Sequence, residues 1–117
     1  RYQLGLGNLS ELGLPPSPDN SDPHFDVFQN YECTADHRDQ LRSYLQDKGI
    51  ATLIQWGGVP VHHFDGLGYG KEKFTDLSNT DRFFEQCLML PMNMSLTNDD
   101  VDYVIDSIIK FYLKSEK

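Results

Sequence analysis

The clearest pattern of apolar positions lies near the end of the chain and predicts an amphipathic helix. Thr97 can cap this helix, and the polar and acidic residues 98–100 suit the positive end of its dipole. Apolar residues then recur every three or four positions, which is the spacing of one helical face. These residues are Val101, Val104, Ile105, Ile108, Ile109, Tyr112 and Leu113.

A second helix is predicted between Asp36 and Gly49. Asp36 is a suitable N-cap, and Asp39 adds negative charge in the first turn. Gly49 can adopt the left-handed conformation that ends a helix, and Ile50 can pack back behind it. The predicted buried face consists of Leu41, Tyr44 and Leu45.

A third helix is predicted from Ser78 or Asn79, either of which can cap it, to about Leu88. Its predicted inward face consists of Phe83, Phe84, Cys87 and Leu88. Pro91 then ends a short apolar run that resembles a strand.

Two further strands are predicted from aromatic and β-branched residues. Residues 25–33 alternate between two faces, and residues 51–56, which include Leu53, Ile54 and Trp56, are predicted as the second strand. Gly57 and Gly58 should end the second strand with a sharp turn. The proline-rich residues 15–23 should be an irregular connector. These elements predict an α/β fold with a small sheet and helices packed on one face.

Composition places the chain among ordinary globular domains. Its 117 residues are 38% hydrophobic and 24% charged, which fits one domain with one core. The net charge of -8 disfavours nucleic-acid binding because an acidic surface repels phosphates. No apolar run approaches the ~18 residues of a membrane helix.

The cysteines and histidines do not predict a metal site. Cys33 and Cys87 lie in apolar stretches and are interpreted as buried, reduced thiols, with a disulfide between them as the alternative. The four histidines, at 24, 37, 62 and 63, lack the spacing of metal ligands. The acid nearest to His62 and His63 in sequence is Asp65, and adjacent loop histidines are expected to point apart.

Four segments, occurring in a characteristic order, carry a family resemblance. They span residues 25–31, 38–58, 61–69 and 87–105. The most specific part is Leu90-Pro91-Met92, followed by Leu96-Thr97 and then by Asp102-Tyr103-Val104-Ile105. In order and spacing these segments resemble the C-terminal domain of the DegT/DnrJ/EryC1/StrS aminotransferases.

The resemblance implies a C-terminal domain of the aspartate-aminotransferase fold (fold type I), which is a two-layer domain with a small, mostly antiparallel sheet. The family's enzymes use pyridoxal 5'-phosphate (PLP) to aminate keto sugars on nucleotide carriers. The resemblance therefore implies a role in the biosynthesis of amino sugars and cell-surface polysaccharides. The chain opens on Arg1 rather than on Met, so residues 1–11 are expected to end a linker helix from a missing N-terminal domain. Residues 12–117 are then the small domain. The intact enzyme is expected to be a cytoplasmic homodimer.

The resemblance also implies that this chain alone is inactive. The family's cofactor lysine lies in a Ser-x-His-x-x-Lys stretch followed by Gly-Glu-Gly-Gly, and neither string occurs here. Lysines occur at positions 48, 71, 73, 110, 114 and 117 and are interpreted as surface residues. No residue is therefore predicted to be catalytic, and the fragment is expected to bind no PLP.

One loop is expected to reach the edge of the active site. The family has a His-Tyr-Pro-x-Pro-x-His loop there, in which Gln55 replaces the first histidine and His62 matches the second. The predicted substrate-binding residues are Gln55, Trp56, Gly57, Gly58 and His62. An amide does not titrate, so Gln55 could hydrogen-bond a sugar hydroxyl or the nucleotide but could not act as an acid or base. Gln55 and His62 could instead bond only to the local backbone, as most buried polar side chains do. For the chain as a whole, the alternative to an aminotransferase domain is a stand-alone α/β module that binds a ligand or a protein without catalysis.

Overall fold

The computed structural model describes residues 1–17, 26–68 and 76–115. Within these residues the chain forms a small α/β fold with four α-helices and one three-stranded antiparallel sheet, which confirms the predicted fold class. The elements are α1 (Tyr2–Leu6), β1 (Leu12–Gly13), β2 (Tyr31–Ala35), α2 (Arg38–Asp47), α3 (Ser78–Gln86), β3 (Cys87–Leu90) and α4 (Asn98–Ser115). Three 3-10 turns, Gln55–Gly58, Val61–His63 and Asp65–Leu67, lie between α2 and α3.

The sheet has the order β1-β2-β3, and β2 is its central strand. Tyr31 pairs with Leu90, and Cys33 pairs with Leu88. Strand β2 alternates between buried and half-buried residues, whereas every residue of β3 is buried. The sequence around β3 therefore reads as continuously apolar because both of its faces are covered.

The first predicted strand begins later than expected. Of its nine positions, only Tyr31, Glu32 and Cys33 belong to β2, and Phe25 lies outside the described residues. Val27 is 85% exposed, and Phe28 has a φ of 47°, which extended backbone does not allow. Alternation therefore continued in the sequence beyond the segment that actually pairs.

The second predicted strand, residues 51–56, is wrong except for one bridge. Leu53 and Met89 exchange backbone hydrogen bonds of 3.2 and 2.8 Å. The chain then turns at Gln55 instead of continuing. The Leu53 side chain is 67% exposed, so this segment lacks the burial that stabilises a strand.

Helix α4 begins as predicted. The Thr97 backbone N–H and hydroxyl donate to Asp100 Oδ2 at 2.8 and 2.6 Å, and the Asp100 N–H donates to Thr97 Oγ1 at 3.2 Å. This reciprocal capping box satisfies groups that a helix start leaves unpaired. These hydrogen bonds also hold the pKa of Asp100 below its usual value. Most of the predicted stripe is buried or half-buried, but Leu113 is 59% exposed and was wrongly included.

The predicted cap of α2 is wrong, whereas its predicted end is confirmed. His37 occupies the N-cap position with a φ of 53° and makes no side-chain capping bond. The Asp36 carboxylate instead accepts a hydrogen bond from Gln86 Nε2 at 3.3 Å. Gly49 has a φ of +75°, and the Ile50 N–H donates to the Leu45 carbonyl at 2.9 Å, as expected of a glycine stop.

The predicted start and inward face of α3 are also partly wrong. Neither Ser78 nor Asn79 is the cap; Asp76 Oδ1 accepts the Ser78 N–H at 3.0 Å from a position just before the helix. Phe83 is 38% exposed. The helix ends at Gln86, so the buried Cys87 and Leu88 belong to β3.

The two cysteines are free and buried, which confirms the predicted thiols. The Cys33 thiol lies 3.2 Å from the Leu88 carbonyl, to which it can donate. Burial raises the pKa of Cys33 to about 12 and raises the pKa of Cys87 as well. Both groups are therefore protonated at neutral pH and lack the thiolate that reactive cysteines need.

Membrane insertion finds no support in the helices. Among those in the described residues, none combines the length and the apolar character that crossing a bilayer would require.

Candidate substrate-facing loop

The loop that the sequence singled out leaves the sheet directly after the Leu53–Met89 bridge. Trp56, Gly57 and Gly58 follow one another with φ values of 50°, 68° and 78°. Glycine adopts this left-handed region at little cost, but tryptophan does so rarely. The Trp56 side chain is 74% exposed, so core packing does not explain its conformation. Residues in such strained conformations cluster at active sites and ligand-binding segments, so the conformation of Trp56 makes this turn a candidate site.

The two glycines of the turn have different surroundings. A Cβ on Gly58 would lie 3.3 Å from Ile54 Cγ2 and 3.9 Å from the Phe84 carbonyl oxygen, so this side of the turn packs toward α3. A Cβ on Gly57 would have nothing within 4 Å. The tip of the turn is therefore open on the side where Gly57 and Trp56 lie.

His62 lies in the next 3-10 turn and contacts helix α3. Its Nε2 is 2.7 Å from Asp81 Oδ1, and the side chain is only 11% exposed. His63 Nε2 lies 3.0 Å from the same oxygen, and the two imidazole rings are 4.5 Å apart. The expectation that these adjacent histidines point apart is wrong, because both rings turn toward one carboxylate.

Asp81 is a site residue that sequence reasoning missed. It lies 19 residues after His62, in the first turn of α3. An acidic residue at that position already has a sufficient local explanation in the helix dipole. Only the tertiary approach of α3 to the loop identifies its second role.

The loop region exposes an unusual amount of apolar surface. Six large apolar side chains between positions 53 and 67 are between 38% and 74% exposed. They are Leu53, Trp56, Val59, Val61, Phe64 and Leu67. A concentration of exposed apolar side chains in one segment marks a surface that binds something.

A groove of about 680 Å³ lies beside this loop and does not include its polar residues. It runs between the end of β3 and the start of α4, and its walls include Ile50, Leu53, Met89, Pro91 and Tyr103. Gln55 and His62 do not line it. The groove is mainly apolar, and its titratable side chains are the carboxylate of Asp100 and the phenols of Tyr31 and Tyr103.

The described lysines do not fit a PLP site. Lys48 and Lys114 are exposed, and Lys110 is an exposed residue 3.9 Å from Asp106. The Lys48 ammonium lies over the Tyr44 ring, 5.6 Å from its centre. A lysine that forms a Schiff base needs a desolvated pocket, and none of these three has one.

Comparison with known proteins identifies the class to which this chain belongs. Residues 1–109 match the DegT/DnrJ/EryC1/StrS aminotransferase family, which is most of the 117-residue chain. The chain therefore belongs to that family, and the resemblance inferred from its four segments is confirmed.

Particular relatives narrow the relationship. The chain is 32% identical over 102 residues to the pleiotropic regulatory protein of Geobacillus stearothermophilus, covering 85% of this chain and 26% of that protein. It is also 32% identical over 107 residues to the dTDP-3-amino-3,4,6-trideoxy-alpha-D-glucose transaminase of Streptomyces venezuelae, covering 92% and 27%. The chain thus spans about a quarter of the length of these curated relatives.

A solved structure supports the same relationship. The structure of S. venezuelae DesV in complex with a ketimine intermediate superimposes with a TM-score of 0.75 at 32% identity. The superposition covers 94% of this chain and 29% of DesV. Family, relatives and fold together relate the chain to sugar-nucleotide aminotransferases.

Proposed function

We propose that this chain is the C-terminal small domain of a PLP-dependent aminotransferase that acts on a nucleotide-linked keto sugar. The observation that carries the proposal is the family match over residues 1–109, together with coverage of only 27% of a sugar transaminase. On this proposal residues 1–11 end a linker helix from an N-terminal domain, and residues 12–117 form the small domain. The enzyme supplies amino sugars for cell-surface polysaccharides and works as a cytoplasmic homodimer.

The cofactor belongs to the other domain on this proposal. The described lysines of this chain are exposed and offer no pocket for PLP, which supports assigning the Schiff-base lysine elsewhere. This chain then contributes no catalytic residue, and its part in the reaction is to bind and enclose the sugar nucleotide.

The proposed contacts with substrate come from the turn at Gln55–Gly58 and from His62. Gln55 offers an amide that can donate to and accept from a sugar hydroxyl or a phosphate. The exposed Trp56 ring can pack against the apolar face of a sugar or base. Gly57 has no neighbour within 4 Å of a built Cβ, so a ligand can approach the backbone there. His62 borders the far side of the loop, where its bond to Asp81 holds the segment in place.

The exposed apolar side chains of residues 53–67 suit a contact with the N-terminal domain. Left in water, such a surface is unfavourable by about 25 cal/mol for each Å² that another surface could cover. A loop that touches a neighbouring domain and also borders the substrate would close the active site from one side. The apolar surface supports this arrangement because it surrounds Trp56 within the same segment.

The experiment compares variants of the enzyme that contains this chain. Gln55→Ala and Trp56→Ala should each lower kcat/KM for the sugar nucleotide by about tenfold, which equals about 1.4 kcal/mol. Their melting temperatures should stay close to that of the unchanged enzyme because both side chains lie outside the core. Gln46→Ala, an exposed glutamine on α2, is the matched control and should leave kcat/KM unchanged. Unchanged kcat/KM in both loop variants would count against the proposed site.

A second candidate is a stand-alone module that binds a ligand or protein without catalysis. It is favoured by one observation, namely that a relative at 32% identity carries the name pleiotropic regulatory protein. In such a module the apolar loop would be the binding surface. The two candidates differ in the assay above, since a protein without amino-transfer activity gives no kcat/KM to compare.

A further inference from the structure

Two imidazoles and one carboxylate converge between the loop and the first turn of α3. Asp81 Oδ1 lies 2.7 Å from His62 Nε2 and 3.0 Å from His63 Nε2. The three possible ligand atoms all lie within 4.8 Å of one another. Two neighbouring histidines whose rings both approach one acidic oxygen form a cluster of donor atoms that can surround a cation.

We propose that His62, His63 and Asp81 bind one Zn²⁺ ion. Zinc bonds of about 2.0–2.2 Å in tetrahedral geometry keep ligand atoms about 3.4 Å apart. The present separations from the carboxylate oxygen are 2.7 and 3.0 Å, so an ion entering between these atoms would widen them by about 0.4–0.7 Å. Side-chain rotations supply a movement of this size without a change in the backbone.

The type of ligand selects the kind of ion. Two imidazole nitrogens and one carboxylate oxygen suit Zn²⁺ and its first-row neighbours, whereas Mg²⁺ and Ca²⁺ prefer oxygen ligands alone. Three protein ligands leave a fourth tetrahedral position for water. Because His63 is 47% exposed and Asp81 39% exposed, the site has a route to solvent for the ion and for this water.

The structure also indicates what the ion would do. Asp81 lies on a helix whose other end is anchored, because Arg38 Nη1 donates to the Phe84 and Cys87 carbonyls at 3.2 and 3.0 Å. His62 and His63 lie on the loop that follows Gln55–Gly58. An ion shared by these residues would tie the loop to α3 and restrict its movement.

Zinc binding is measured on the 117-residue chain, prepared without a polyhistidine tag and stripped with a chelator. Titration with Zn²⁺ against a chromophoric competitor should give one equivalent. Co²⁺ should produce the visible absorption of a tetrahedral site, and Zn²⁺ should abolish it. His62→Ala, His63→Ala and Asp81→Asn should each weaken the affinity by at least about tenfold, because even loss of a residue that only supports a ligand costs about 10–100-fold.

Two variants separate metal binding from folding and from general charge. Asparagine at position 81 can still accept hydrogen bonds from the histidines, so Asp81→Asn should keep its circular dichroism spectrum while losing zinc affinity. Asp65→Asn removes an exposed acid from the same loop and should leave the affinity unchanged. Absence of saturable binding, or equal affinity in Asp81→Asn and the unchanged chain, would overturn the assignment. The measurement of zinc binding does not depend on amino transfer, so its outcome is independent of the proposed aminotransferase function.

Discussion

Replacing Ile108 by alanine tests the packing of α4, on which the whole fold depends. Ile108 is 0% exposed and belongs to the core cluster together with residues of α1, α2 and the sheet. The substitution removes Cγ1, Cγ2 and Cδ1. At about 0.8 kcal/mol per buried carbon, the variant loses about 2.4 kcal/mol of the free energy gained by burying this side chain. The cavity left behind raises the expected loss of unfolding free energy, up to about 5 kcal/mol.

The loss can be measured by urea unfolding followed by circular dichroism. With an m-value of about 2 kcal/mol/M, the middle of the usual range, this loss should lower the urea midpoint by about 1.2–2.5 M. Leu113→Ala is the matched control, because Leu113 lies on the same helix but is 59% exposed. It should change the stability by less than about 0.5 kcal/mol. An Ile108→Ala effect as small as that of the control would refute this description of the core.

Two further predictions concern capping and charge. Thr97→Ala removes the capping box of α4 and should cost about 1 kcal/mol, measured by the same unfolding assay, with the exposed Ser43→Ala of α2 as control. Because the pKa of Asp100 is lowered from its ordinary value of 3.8, this carboxylate stabilises the fold above pH 3.8, and that stabilisation is lost as the pH falls through the folded pKa. The loss of stability in acid should therefore be smaller in Thr97→Ala than in the unchanged chain. An unchanged dependence of stability on pH in this variant would contradict the capping role. Burial raises the pKa of Glu32 above 4.5, and its Oε1 is buried without a hydrogen-bond partner. The folded state therefore binds the proton of the Glu32 carboxyl more tightly than the unfolded state does. The resulting stabilisation is present below pH 4.5 and is lost as the pH rises through the folded pKa. Glu32→Gln should accordingly raise the urea midpoint at pH 7, and the difference in midpoint from the unchanged chain should shrink toward pH 4. A lower midpoint for Glu32→Gln at pH 7 would contradict this prediction, because it would show that the carboxylate is favourably placed.

The parts of the fold that local signals specify could be predicted from the sequence. Helix α4 combines a capping box at Thr97 with a complete apolar period, and both signals act within a few residues of one another. The stop at Gly49 is equally local, because only glycine reaches its φ of +75° at little cost. The strands depend on partners far away in sequence. Residues 51–56 were predicted as a strand, but the prediction is wrong because this segment pairs with β3 only at Leu53.

The candidate site shows the same division. The sharp turn at Gly57 and Gly58 was predictable from the paired glycines, but the left-handed conformation of Trp56 was not, since its residue type disfavours it. The partnership of His62 with Asp81 joins a loop to a helix 19 residues later. No periodicity or spacing encodes such a contact, which forms only when α3 packs beside the loop.

The most direct test of the central claim is amino transfer to a nucleotide-linked keto sugar, measured with and without the partner domain. We expect PLP-dependent transfer from the protein that joins this chain to a domain bearing the Schiff-base lysine. The 117-residue chain alone should give no transfer and no stoichiometric PLP adduct, because its described lysines are exposed. Transfer by the isolated chain, or its absence from the joined protein across a panel of keto sugar nucleotides, would contradict the account.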